Sequence, residues 1–144
     1  MPVRPLPPAI GATENALRQL LTRALAGSLI GGYDEWVYLN IQERADDPTL
    51  VEGLVADALR QPREVVTAAR GRLVAAGLLG CDGGLTRIGR EQLHRCRTAV
   101  AETTQALTAG IDPAAVRTTL DTLDAVRGRA EQLLAGCAVP ARSR

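Results

Sequence analysis

The stretch 77-GLLGCDGGLTRIGRE-91 reads as two short extended arms around a tight turn, followed by the start of a helix. Gly77 closes whatever precedes it, as a glycine just past a helix end does. Leu78-Leu79-Gly80 and Gly84-Leu85 are the arms. Cys81-Asp82-Gly83 is the turn, because Asp-Gly adopts the left-handed conformations that a tight reversal demands. Thr86 is placed to cap the helix that follows. A tiny β-hairpin set between two helices predicts a mainly α fold, and the rest of the chain is organised around it.

Upstream, Pro62 to about Ala76 has a helical period with Val66, Ala69 and Leu73 inward. Only Arg60-Gln61 separate it from an earlier helix, which carries Leu50, Leu54, Val55, Ala58 and Leu59 on one side. That earlier helix opens on Thr49-Leu50-Val51-Glu52, the pattern of a capping box, after the turn Asp46-Asp47-Pro48. Another helix starts near Asp34, with Trp36, Val37 and Ile41 inward. From Thr13 to Ala26 the residues Leu17, Leu20, Leu21, Ala24 and Leu25 mark one helical face, ended by Gly31-Gly32. Residues 1–12, rich in Pro, read as a flexible extended arm.

Downstream, a long helix runs from about Arg87 to Ala109 with Leu93, Cys96, Val100 and Leu107 along one stripe, and Gly110 stops it. Asp112-Pro113 opens a last helix carrying Val116, Leu120, Leu123, Val126, Ala130, Leu133 and Leu134. That mixed three–four spacing suits helix-on-helix packing. Gly136 ends it, and 137–144 read as a tail. The chain from 13 to 136 is taken as a single domain.

Composition agrees with helices. Of 144 residues, 46% are hydrophobic but only 2% aromatic (Tyr33, Trp36 and Tyr38), so Leu, Val and Ala must fill the core. No stretch reads as a signal peptide, a membrane span or a lipidation motif, which makes a cytoplasmic bacterial protein the expectation. All 17 basic residues are Arg, and the net charge is +1. The distribution is more telling than the total. Residues 60–97 hold eight Arg against three acids, whereas 1–59 hold four against eight and 98–136 three against five. A basic segment between acidic ones fits a polyanion-binding face, and it also fits a merely solvated one.

A helix, a very short turn and a second helix make a helix-turn-helix, whose second helix matches the width of the DNA major groove. Its outward residues are Arg63, Glu64, Thr67, Ala68 and Gly71. Arg63 can donate to a guanine edge or a phosphate, Glu64 can accept from cytosine, and Thr67 can do either. Ala68 and Gly71 allow close approach without encoding a base. Arg70 and Arg72 lie off that row, toward the DNA backbone. Arg87 and Arg90, in the first turn after the hairpin, are further candidates for phosphate.

Residues 54–93 resemble the winged helix-turn-helix of MarR family transcriptional regulators. The resemblance rests on Leu54-Val55-x3-Leu59, Val66-Thr67, Leu73, Gly77-Leu78-Leu79 and Leu85-Thr86-x2-Gly89, in the family's order. The winged lobe is then 33–93. Segments 13–30 and 94–136 correspond to the family's helical dimerisation region, with Gly110-Ile111-Asp112-Pro113 at its usual opening. The resemblance implies a homodimer that places two recognition helices in successive major grooves of pseudo-palindromic double-stranded DNA, about 34 Å apart. It implies a repressor as the usual role and release by a small, often phenolic effector. Tyr33, Trp36 and Tyr38 lie near where such a pocket would form, although Trp36 reads more readily as core than as pocket lining. Three features depart from the family pattern. The wing tip has no Arg, Ala68 replaces a common Arg, and Arg70-Gly71 replace an acidic and apolar pair. These departures keep open a second reading, a MarR-like dimer that binds a protein or small molecule instead of specific DNA.

The remaining chemistry is sparse. Cys81, Cys96 and Cys137 are too widely spaced for a zinc site or a disulfide framework, and a redox-sensing Cys81 is opposed by Asp82 beside it. His94, the single histidine, reads as a surface residue. No catalytic set, cofactor motif or metal-ligand spacing is present, so a non-enzymatic protein is the expectation.

Overall fold

The computed structural model describes residues 4–137, and among them it contains six α-helices and no β-strand. In chain order these are α1 (Leu6–Leu25), α2 (Tyr33–Arg44), α3 (Val51–Leu59), α4 (Arg63–Ala75), α5 (Arg87–Thr108) and α6 (Pro113–Cys137), with a 3-10 turn at Pro48–Leu50 before α3. The chain divides into two compact units, Met1–Thr104 and Gln105–Arg144, where the sequence suggests a single domain from 13 to 136. The buried core lies wholly in the first unit. Among the described residues no helix is long and apolar enough to cross a membrane.

In the first unit, α2, α3 and α4 pack on one another around Tyr38, Leu39, Val51, Val55, Val66 and Leu73, joined by Leu25, Ile30, Leu78, Leu79, Leu93 and Cys96. The inward stripe of α4 is as the periodicity predicts, with Val66, Ala69 and Leu73 fully buried. Each buried Val or Leu contributes about 1.5–3 kcal/mol relative to exposure. The C-terminus of α4 is also as predicted. Gly77 adopts φ +75, its N–H bonds Val74 O, and Leu78 N–H bonds Leu73 O, the paired closure of a Schellman motif.

Other expectations are corrected. The proposed arm over residues 1–12 is largely helix, because α1 already starts at Leu6. Prolines at its start cost nothing in hydrogen bonds, since the first four N–H groups of a helix have no partner within it. Residues 1–3 of that arm, and 138–144 of the proposed tail, lie outside the described residues. Cys137 belongs to α6 rather than to the tail. The inner face of α2 is Glu35, Tyr38 and Leu39, with Trp36 and Ile41 only half-buried. A charged residue heads that stripe, so hydrophobic periodicity finds only its flanks, Trp36 and Ile41, which pack against the core. The capping box at Thr49–Glu52 is not formed. Asp47 Oδ1 instead accepts from the Thr49 N–H (2.9 Å) and hydroxyl (2.7 Å), closing the 3-10 turn, and α3 begins at Val51. Val51 and Val55 are therefore inside, while Leu50 and Leu54 remain exposed.

The β-hairpin wing is not seen. Leu79 and Leu85 form one isolated antiparallel bridge, and Gly80 N–H bonds Gly84 O at 2.8 Å. A four-residue turn fills the gap, closed by Gly83 N–H to Gly80 O, with Gly83 at φ +86. The bridge cannot extend into a ladder. Gly80 and Gly84 turn the chain on one side, and on the other Thr86 is already committed to α5. Its hydroxyl accepts from Gly89 N–H (2.9 Å) and donates to Gly77 O (2.6 Å).

The second unit contains the last turn of α5 and all of α6. Asp112 caps α6 through Ala114 N–H, as the Asp-Pro pair predicts. None of the described residues of α6 is buried, and Leu120, Leu133 and Leu134 are 56%, 73% and 68% exposed.

Candidate nucleic-acid interface

The α3–α4 pair provides the framework of the site. Arg60-Gln61-Pro62 connects the two helices. Arg60 takes the left-handed conformation (φ 53) and Gln61 N–H closes onto Ala56 O, so α3 ends abruptly. Pro62 is the N-cap of α4 rather than its first helical residue, with extended dihedrals that turn the chain into the helix. Because Val66, Ala69 and Leu73 face the core, the opposite side of α4 faces solvent. Arg63, Glu64, Thr67, Ala68 and Gly71 are all exposed there. The sequence thus identifies the outward row correctly, and the structure brings its five members together on one face.

The flanking arginines are engaged with protein groups. Arg70 lies 3.9 Å from the Glu52 carboxylate, and its other terminal nitrogen lies beside Gly83 in the turn after α4. Arg72 donates from Nε to Glu35 Oε1 at 2.8 Å. Arg87 is highly exposed and 3.5 Å from Glu91, one helical turn along. Arg90 folds back to donate to Leu85 O at 2.9 Å. Arg63 rests its guanidinium over Gly53 of α3 and makes no ion pair among the described residues. Arg63 and Arg87 are therefore the most available cations of the candidate set, and Arg70 and Arg72 are also structural struts.

The three aromatic residues do not share one surface. Tyr38 is buried in the core. Its phenol pKa is raised by burial, reinforced by the Glu52 carboxylate and opposed by Arg70. Tyr33 sits at the start of α2 with the Arg18 guanidinium 4.6 Å above its ring, a cation–π contact. Trp36 packs half-buried against the core, and its carbonyl accepts from Asn40. Tyr33 lines a small depression with Gly31, Gly32, Asp34, Glu35 and Arg72. Of the cysteines, Cys81 is exposed in the turn, Cys96 is buried and Cys137 is exposed.

Two polar anchors escape the sequence reading. Glu35 is the one charged residue buried among the described residues. It joins Arg72 of α4 to Gly31 N–H in the connection before α2. Arg97 of α5 donates from Nε and Nη2 to Asn40 Oδ1 (3.0 and 2.9 Å) and pairs with Glu43. A signal for the first exists, since an acid near a helix start after glycines is half of a reciprocal cap. The second spans 57 residues and has no local signature.

No family model matches the chain, and no curated protein matches it.

Proposed function

We propose that this protein is a DNA-binding transcriptional regulator, a repressor of the MarR type, working as a homodimer. The observation that carries this reading is the helix–short turn–helix of α3 and α4, with the outward face of α4 exposed to solvent and headed by Arg63. An α-helix held by its neighbour with its other face free is what the major groove accepts. Arg63 and Thr67 are the base-edge candidates, and Glu64 selects against phosphate and toward cytosine. Arg70, Arg72, Arg87 and Arg90 are the candidates for the backbone contacts that position a duplex. The exposed leucines of α6 supply apolar surface for a second copy, and a small aromatic effector near Tyr33 and Trp36 remains part of the proposal. The cytoplasm is the compartment where such a protein would act.

The test is fluorescence anisotropy of the full chain with labelled promoter DNA from its own genomic neighbourhood. Binding at nanomolar to micromolar protein, lost roughly tenfold or more in Arg63→Ala, is the expected result. The turn at Gly80–Gly84 favours one other reading. It offers Asp82 where a wing would offer a cation, as suits a dimer that binds a protein or small molecule. Binding that is weak and independent of DNA sequence selects that second reading.

A further inference from the structure

We infer that Glu35 is a positioning residue that holds Arg72 of α4 at the angle needed to meet a DNA phosphate. The inference rests on the DNA-binding reading above and adds to it a residue on a different helix. A buried carboxylate is costly unless both its oxygens are satisfied. Here both are. Oε1 accepts from Arg72 Nε at 2.8 Å, and Oε2 accepts from Gly31 N–H at 2.5 Å. Gly31 makes this possible by having no side chain, since a Cβ there would lie 2.9 Å from Oε2 and 3.0 Å from Oε1. The connection before α2 thus fixes the carboxylate, and the carboxylate fixes the guanidinium.

The way Arg72 is held matters more than the fact that it is held. A guanidinium has five N–H donors in a rigid plane. Glu35 takes the one on Nε. The terminal Nη groups make no hydrogen bond among the described residues, and the Arg72 side chain is 55% exposed while that of Glu35 is 8% exposed. The charge is therefore pinned on its inner edge and open on its outer edge. Arg72 follows Gly71 on the rim of the outward face of α4, beside the base-reading row. A rim cation with its inner edge pinned meets the sugar–phosphate backbone rather than a base edge. It also reaches that contact with its rotamer freedom already reduced.

The experiment is a salt titration of duplex DNA binding by the full chain, comparing unsubstituted protein with Arg72→Ala, Glu35→Gln, Glu35→Ala and the Glu35→Ala/Arg72→Ala double variant. The slope of log affinity against log salt counts phosphates neutralised. Arg72→Ala is expected to flatten it by about one unit per copy bound, equally on all sequences. Glu35→Gln has one acceptor oxygen for two donors, Arg72 Nε and Gly31 N–H, and is expected to give a slope between that of the parent and that of Arg72→Ala. Glu35→Ala is expected to flatten it as Arg72→Ala does, with no further change in the double variant. Circular dichroism reports whether Glu35→Ala folds. If it does not, Gly31→Ala replaces it, because the added Cβ displaces the same carboxylate. A normal slope in Arg72→Ala, or in folded Glu35→Ala or its replacement Gly31→Ala, overturns the inference while leaving DNA binding intact. Absence of DNA binding by the unsubstituted protein overturns both.

Discussion

Replacing Gly89 by alanine and replacing Gly71 by alanine are chemically the same change on two helices, and their effects should have opposite signs. At Gly89, in the first turn of α5, a Cβ would lie 2.1 Å from the Leu78 carbonyl oxygen and 3.0 Å from its carbon. That oxygen is not free to retreat, because it accepts from Thr86 N–H at 3.1 Å and from the Thr86 hydroxyl at 3.2 Å. Relief requires α5 to move about an ångström from the turn, which disturbs the Thr86 cap. Overpacking of this kind costs about 1–3 kcal/mol, and a damaged cap about 1 kcal/mol more. The better helix propensity of alanine returns roughly 1 kcal/mol. The net expectation for Gly89→Ala is a loss of about 2 kcal/mol. At Gly71, in α4, nothing lies within 4 Å of the same Cβ, so only propensity acts. Gly71→Ala should gain about 0.5–1 kcal/mol. Urea unfolding followed by circular dichroism measures both, with unchanged m-values as the check that only stability moved. Gly89→Ala as stable as the parent would refute the close approach of α5 to Leu78. A destabilised Gly71→Ala would show that the outward face of α4 is packed.

Three further outcomes follow from single groups. Asp82→Asn keeps the Oδ1 acceptor that Gly84 N–H uses but removes a negative charge, so if the turn faces DNA the affinity at low salt should rise about two- to fivefold; anisotropy measures it, and an unchanged affinity removes the turn from the interface. The Asp47 pKa is lowered by hydrogen bonds from the Thr49 hydroxyl and N–H, so its contribution is present above the ordinary carboxylate value and lost as pH falls through the lowered one. Asp47→Ala should therefore destabilise the protein more at pH 7 than in acid, measured by urea titration across the acid range. For Tyr38 the sign is reversed, because burial raises its pKa. The unfolded chain ionises first, stability declines as pH rises through about 10, and Tyr38→Phe should flatten that decline in thermal melts across the alkaline range.

How much of this was legible depended on whether the signal was local. The outward row of α4 was legible because Val66, Ala69 and Leu73 are apolar at helical spacing and leave the other side by default. The stop at Gly77, the Thr86 cap and the Asp112-Pro113 start were legible because each is a side chain or a φ acting within a few residues. The inner face of α2 was not, because Glu35 sits on it and is buried through Arg72, 37 residues away. The turn of the helix-turn-helix was legible by length but not by conformation. Arg60 takes a left-handed φ that sequence assigns to glycine, at a cost of about 1–2 kcal/mol. The start of α1 is not legible from local pattern, because prolines read as helix breakers although in a first turn they break nothing. The Asp-Gly turn signals a wing, but the arms have no room to pair beyond Leu79 and Leu85.

The central claim is tested most directly by selecting from a random pool of double-stranded DNA with the full chain and then titrating salt on the recovered sites. The account predicts enrichment of a sequence with two-fold symmetry, its half-sites about one helical turn apart. It also predicts binding at least 10³-fold tighter than to scrambled DNA, with affinity falling steeply as salt rises. No enriched sequence, or binding equal on every duplex, would contradict it and leave α4 as a helix whose open face serves something other than DNA.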